Sequence, residues 1–560
     1  MKYKFLIAAV ILLAITLRLY KISQVPPSLY WDEASLGYNA YSIAESGYDE
    51  HGEFLPLARF IAFGDYKPSG YIYTAVPFIK LLDLNELSIR FPSILSGIIM
   101  VVVTYLLVQE LFKSQIIALL ASFLLAISPW SIHLSRAAFE ANLAAAFNLS
   151  AVYFFVLSIR KKWTVILSFV FFVLSFYTFN ANRIIAPLLI FALLIIYWRD
   201  SLKNYKWILT SVILSILLLL PSIGYLMSPE SRLRFQEVSI FNNLEPLRLS
   251  NQRIEYDGGT LFAKLLHNRR LVYAGEFLKH YFDNFSGRFL ITSGDVNPRL
   301  SVQDMGELYF VELPFLLLGI FFLVKKRHKI ALLIAVWMLI VPIPAGMAKE
   351  TPHALRIVSI LPTYQIIIAY GLYQLILWRR YSFSRNTPSR SRFATPGRWP
   401  NGLLPGGFKK TIAAVICLLL SVNIYYYLHN YYIHYPRDFS GEWQYGSKQM
   451  VEYVTKVKDD YDYVFVTDGL GRPYIFFALY DKLTPAEFLR IRQASRDWFG
   501  FWKVAALGKI FFGMDKLKEA RGNILMVTTP GNLPAGYAII ERITNLKNEE
   551  VFLIAEKHEN

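Results

Sequence analysis

The chain has 560 residues, 55% hydrophobic and 16% aromatic, and carries a formal net charge of +17 at neutral pH. With a mean hydropathy of +0.36, it is too apolar for an ordinary soluble enzyme of this length, and a multi-span membrane protein is the expected class. The positive charge would suit nucleic acid, but it lies in short runs between apolar segments, so the expected surface partner is membrane lipid and no nucleic acid.

Lys2 and Lys4 precede an apolar run with no small-residue cleavage pattern after it, which reads as a retained first span. Spans need about 20 apolar residues each. About eleven are expected, at 5–20, 89–112, 115–131, 141–158, 164–179, 184–198, 206–226, 309–324, 329–345, 355–377 and 411–429. Threading them with the N-terminus inside gathers the basic clusters on one side: Arg160 to Lys162, Arg199 to Lys206, Lys325 to Lys329, and a basic cytoplasmic loop at 378–410. The expected fold is a polytopic α-helical membrane protein, N-in and C-out. A transmembrane domain at 1–435 would be followed by a small extracytoplasmic α/β domain at 436–560.

The first external loop would occupy 21–88. In it, Asp32 and Glu33 are followed by Leu36, Ala40, Ile43 and Ala44 at helical spacing, which suggests an interfacial amphipathic helix. Tyr71 to Leu82 reads as a second helix. A long external loop at 227–308 carries the turn-rich run Gly294 to Arg299, and loops of this length usually serve function. The single cysteine, Cys417, lies in an apolar run and can form no internal disulfide. In the tail, Tyr463 to Thr467, Ile475 to Leu479 and Ile524 to Thr528 read as strands. Ser447 to Lys456, Pro485 to Gln493 and Asp515 to Ala520 read as helices, an α/β alternation without a GxGxxG or P-loop signature.

Carboxylates at a membrane boundary are costly unless solvated, paired or working. A carboxylate aimed at a hydroxyl can act as general base, contributing about 10²–10⁴-fold; Asp32, Glu33 and Glu140 are the candidates. Lys67 could hold a phosphate oxygen as a point charge. Arg136 stands one turn before Glu140, where an ion pair would add only about 0.2–0.5 kcal/mol. Arg183, His353 and Arg356 stand at span ends, where arginine suits bidentate phosphate recognition and snorkelling is the plainer reading.

At these residues the chain resembles the dolichyl-phosphate-mannose protein mannosyltransferase superfamily, GT-C membrane glycosyltransferases that include the aminoarabinose transferases acting on lipid A. The similarity rests on the acidic pair Asp32-Glu33 after the first span, on Lys67-Pro68-Ser69-Gly70-Tyr71, and on Arg90-Phe91-Pro92-Ser93. It continues in Ser128-Pro129, in Arg136 with Glu140, and in His353 with Arg356 and Leu361-Pro362. The resemblance implies inverting transfer of a sugar from a polyprenyl-phosphate donor to an extracytoplasmic acceptor, which could be a protein, a lipid or an envelope glycan. Asp32 would be the base with Glu33 in support and Glu140 near the site. Lys67, Tyr71, Arg136, Arg183, His353 and Arg356 would contact substrate. No cofactor and no metal are expected, and the implied location is the plasma membrane with the site on its outer side. Two alternatives remain open from the residues alone: an oligosaccharide ligase or polymerase using a lipid-diphosphate donor, and a transporter or flippase.

Overall fold

The computed structural model describes residues 2–63, 65–381, 406–496 and 502–558. The basic loop expected at 378–410 falls, for 382–405, outside the described residues.

A helix α1 (Lys2–Leu19) leads through a turn-rich segment into α2 (Trp31–Ser46). A short antiparallel hairpin of β1 (Phe60–Ala62) and β2 (Asp65–Lys67), with Phe60 opposite Lys67, then hands the chain to α3 (Gly70–Leu82). Next come α4 (Glu86–Phe112), α5 (Gln115–Ile127), α6 (Pro129–Ser135) and α7 (Glu140–Ser158). After them follow α8 (Thr164–Phe176), α9 (Asn182–Ile196), α10 (Trp198–Lys203) and α11 (Tyr205–Met227). The start of α4 is fixed by a capping box in which Asn85 and Ser88 satisfy each other's backbone N–H groups.

Each of the eleven expected segments is helical, but their lengths and breaks differ from the expectation. Five helices among the described residues are long and apolar enough to cross a membrane, or six if one bent pair counts as a span. That pair is the segment expected at 115–131. It turns by 55° between α5 and α6, because Pro129 lacks the N–H needed to continue a helix and Ser128 caps a new one by accepting from Ser131 N. The segment expected at 355–377 begins its helix only at Thr363, after a 3₁₀ turn at Val358–Ile360 and Pro362. The last of the helices long and apolar enough to span runs from Ala413 to Asp438, past its expected end at 429 and across the boundary placed at 435/436. The expected loop at 227–308 contains four helices, Glu230–Val238, Glu245–Tyr256, Leu261–Leu266 and Arg269–Asp283.

The tail forms one seven-stranded mixed sheet in the order β4-β5-β6-β3-β7-β9-β8. Its strands are β3 (Tyr463–Val466), β4 (Arg492–Arg496), β5 (Trp502–Leu507), β6 (Ile510–Phe512), β7 (Ile524–Thr528), β8 (Ala538–Thr544) and β9 (Glu550–Lys557). β3 runs parallel to both its neighbours, β6 and β7, and the other pairings described in this sheet are antiparallel. Helix Ser447–Val457 and strands β3 and β7 fall where the sequence places them. Residues 474–480 do not: this apolar run is a helix (Tyr474–Tyr480), and Asp515 to Ala520 is a set of turns.

The sheet domain packs against α2 and α3 in a single hydrophobic cluster. Leu36, Tyr38, Ala40, Ile43 and Tyr71 share this core with Val464, Phe476, Phe477 and Leu525. The side of α2 expected to face solvent is covered by the sheet domain, where Tyr38 donates to Leu483 O at 3.0 Å.

Candidate active site

Asp32 and Glu33 occupy the first turn of α2, where the helix dipole favours negative charge. They point into different surroundings. Asp32 is half-buried, and Lys67 Nζ donates to its Oδ1 at 2.5 Å from a side chain only 7% exposed. The Trp31 indole donates to Oδ2 at 3.2 Å. Lys67 is delivered by β2, and the hairpin's exit is pinned where Gly70 N donates to Tyr177 O. A Cβ on Gly70 would stand 2.3 Å from Thr178 Oγ1, so only glycine permits this close approach.

Glu33 is wholly buried and accepts from Arg90 Nε and Nη2 at 3.0 and 3.1 Å and from Ala138 N at 2.7 Å. Arg90 spends its remaining donors on the carbonyls of Ile22, Pro26 and Ser28. Glu33 is thus an anchor that holds the first turn of α2 against α4 and the segment before α7, a structural engagement beside the supporting role expected for it. Glu140 stands half-buried in the first turn of α7. Buried Tyr30 lies in the field of Asp32, Glu140, Glu33 and Arg299, and burial together with these carboxylates pushes its hydroxyl well above the usual tyrosine range.

Arg299 is the member the sequence reading did not place in the site. Its guanidinium lies 5.0 Å from the Tyr30 ring centroid. His133 and Tyr435 hold its loop through the carbonyls of Arg299 and Pro298, at 2.9 Å each. The turn-rich run around it was visible in the sequence, and its stacking partner, distant in the chain, was not.

Other expected residues have different surroundings. Arg136 is buried and donates to the carbonyls of Leu17, Arg18, Tyr20 and Val25 at 2.7–3.0 Å. It closes the C-terminal end of α1 and spends these donors on backbone carbonyls, where a substrate contact was expected. Tyr71 is buried too, its hydroxyl donating to Ile89 O at 2.9 Å, and it is a packing residue. Arg183 stacks between Phe176 and Tyr225; Tyr225 lines a groove of about 510 Å³ that also involves Pro56, Arg59 and Pro221. His353 and Arg356 belong to a loop tied to the Arg299 segment, where Ala354 N donates to Asp295 Oδ2 at 2.5 Å and His353 Nδ1 lies 3.9 Å away. Burial pushes the Asp295 carboxyl up to about 6 against the opposing pull of two backbone N–H groups and Arg356. Among the described residues, no three His, Cys, Asp or Glu side chains cluster as a metal site would need.

A bundle of apolar helices with a C-terminal sheet domain over the Asp32 end is the GT-C architecture, and the protein is a multi-pass membrane protein of that fold. Residues 8–233 match the family model for dolichyl-phosphate-mannose-protein mannosyltransferase, the superfamily that the acidic pair and Lys67 resemble. The structure is similar to ArnT from Cupriavidus metallidurans bound to undecaprenyl phosphate, with a TM-score of 0.52, 13% identity, and 99% of this chain and 98% of that chain covered. It is also similar to the archaeal oligosaccharyltransferase AglB from Archaeoglobus fulgidus in complex with an inhibitory peptide and a dolichol-phosphate. There the TM-score is 0.50 and the identity 11%, with 85% of this chain covered. The chain spans 63% of the AglB length. At these identities the likeness is one of fold. No curated protein matches the sequence.

Proposed function

We propose that the protein is a membrane glycosyltransferase that moves a sugar from a polyprenyl-phosphate carrier to a hydroxylated acceptor on the outer face of the plasma membrane, with inversion. The observation that carries this reading is the half-buried Asp32 carboxylate with the Lys67 ammonium against it. Asp32 takes the acceptor's hydroxyl proton, the acceptor oxygen bonds to the anomeric carbon, and the carbon–oxygen bond to the carrier phosphate breaks. The leaving phosphate gains negative charge, which a preorganised cation stabilises. Lys67, paired with Asp32, is the cation assigned to that purpose; Arg299, stacked on Tyr30, is assigned as a second, and Glu140, which shares the field at Tyr30 with Asp32, is assigned to tune the base.

Arg183, His353 and Arg356 are assigned outlying donor contacts. Support comes from the family match over 8–233 and from the fold shared with an undecaprenyl-phosphate-bound enzyme. The assignment also takes the N-in, C-out threading, the transmembrane part at 1–435 and the extracytoplasmic part at 436–560 as its frame.

The test is release of free polyprenyl phosphate from a panel of radiolabelled polyprenyl-phosphate sugars, with purified wild type and Asp32→Asn in nanodiscs. The expected result is turnover by wild type and a loss of about 10²–10⁴-fold in the variant. Consumption of a diphosphate-linked donor alone would replace the reading with that of an oligosaccharide ligase.

A further inference from the structure

We infer that the connector at 439–446 and the Gly471 turn of the sheet domain position the Asp32 carboxylate, so that Gln444 and Gly471 act in the reaction through Trp31. The inference rests on Asp32 being the base of the proposed transfer, and it gives the sheet domain a part in the chemistry.

The argument starts from an unmet need. The residue before α2, Tyr30, offers no side-chain cap to the helix, yet the first N–H groups of any helix lack intrahelical acceptors. Gln444 supplies the missing acceptor from the far end of the chain: its Oε1 accepts from Trp31 N at 2.8 Å. Its other amide atom is engaged as well, Nε2 donating to Leu470 O at 2.6 Å. One side chain therefore joins the first turn of α2 to the loop that follows β3. Gln444 does this from a backbone φ of +53°, a conformation that costs a non-glycine residue energy and persists only where the surroundings enforce it.

Next to it Gly471 has φ +126°, and a Cβ there would stand 2.0 Å from Trp31 Cε3 and 2.9 Å from Gln444 Nε2. The turn thus lies directly against the indole, at Cε3 and Cζ3. The connector is itself fixed, because Trp443 is fully buried, donates to the Tyr435 hydroxyl at 2.7 Å and packs edge-on to Tyr30. With its backbone held by Gln444 and its ring against Gly471, Trp31 donates its indole N–H to Asp32 Oδ2 at 3.2 Å. The second carboxylate oxygen faces Lys67. The carboxylate is then held from both sides, one of them supplied through the sheet domain.

The experiment compares wild type with Gln444→Leu, Gln444→Glu, Gly471→Ala and Trp31→Phe in nanodiscs, after size exclusion and thermal melting have identified the variants that fold. One readout is the kcat and KM split and pH profile for the polyprenyl-phosphate sugar that wild type consumes. The other is the rate of Lys67 acetylation by acetic anhydride, read by mass spectrometry without reference to activity. Gln444→Leu and Trp31→Phe are expected to lower kcat about tenfold, the scale of one hydrogen bond, with donor KM unchanged. The acid limb of their profile should move to higher pH, because a carboxylate that loses a donor is easier to protonate. Lys67 should acetylate several-fold faster, and Gln444→Glu, which keeps the acceptor for Trp31 N, should recover much of the loss. Wild-type kcat, profile and Lys67 labelling in folded Gln444→Leu and Trp31→Phe would overturn the inference while leaving the glycosyl transfer intact. If wild type consumes no donor, the transfer reading falls, and Lys67 labelling alone decides whether the clamp exists.

Discussion

Removing one partner of the Glu33–Arg90 pair would leave a full charge in a fully buried site. Breaking such a pair costs on the order of 3–5 kcal/mol, so Arg90→Met should lower the melting temperature far more than Asp32→Asn, a change at a half-exposed position. Differential scanning of the two variants decides this; equal melting temperatures would mean that Glu33 is not the anchor. Glu50 makes a different prediction. It is buried where the first loop meets the sheet domain, accepts from Asn39 and Tyr474, and burial pushes it up to about 7 from an ordinary value of 4.5. The folded state holds this proton where the unfolded chain releases it, so the contribution of Glu50 to stability is fully present below about pH 4.5 and is lost as pH rises through about 7, by at most on the order of 3 kcal/mol. Glu50→Gln should flatten that decline in melts taken across this window. A variant that keeps the wild-type slope would place the dependence on another group.

At the scale of elements, Arg136 shows what a helix end demands. Four carbonyls at and beyond the end of α1 accept from one guanidinium, and each would be stranded by Arg136→Met at about 1–3 kcal/mol apiece before relaxation. The expected outcome is a fall in melting temperature and faster proteolysis near residue 20, with donor KM unchanged in whatever fraction folds. A raised KM at unchanged stability would return Arg136 to the substrate. Which elements were legible follows a physical line. The long apolar helices, the helix at 31–46 and strands β3 and β7 are written in local periodicity. The apolar run at 475–479 is too short for periodicity to separate strand from helix, and its context made it a helix. Strand β9 holds a five-residue apolar run, Val551 to Ala555, too short for periodicity to assign, and β8 is mostly exposed, with Glu541 and Arg542 set among its isoleucines. For the site, Asp32 and Lys67 were legible because both sit in one loop with a characteristic spacing. Arg299, Gln444 and the Glu33–Arg90 pair were not, since each depends on contacts between distant stretches.

For the molecule as a whole, the shared core of α2, α3 and the sheet makes the two parts one cooperative body. Lys448–Glu86 and Lys482–Asp83 are ion pairs at the rim of that contact, and rim pairs of this kind contribute little, about 0–1 kcal/mol. The apolar cluster beneath is the main adhesive. A chain truncated after Asp438 should therefore expose Leu36, Tyr38 and Ile43, aggregate in detergent and lack turnover. The double variant Lys448→Ala with Lys482→Ala should behave as wild type in size exclusion and activity. A monodisperse truncated chain would show that the membrane part stands without its cover.

The same core sets an order of events during synthesis. Tyr38 leaves the ribosome 445 residues before its partner Leu483, which at about 5–20 residues per second is a wait on the order of 20–90 s. On the proposed N-in threading, the first loop crosses the bilayer and through that interval lacks the part of its apolar core that the sheet domain supplies. Pulse-labelled chains should remain cleavable in the segment around α2 until the last strand, β9, has been made, and become protease-resistant together with it.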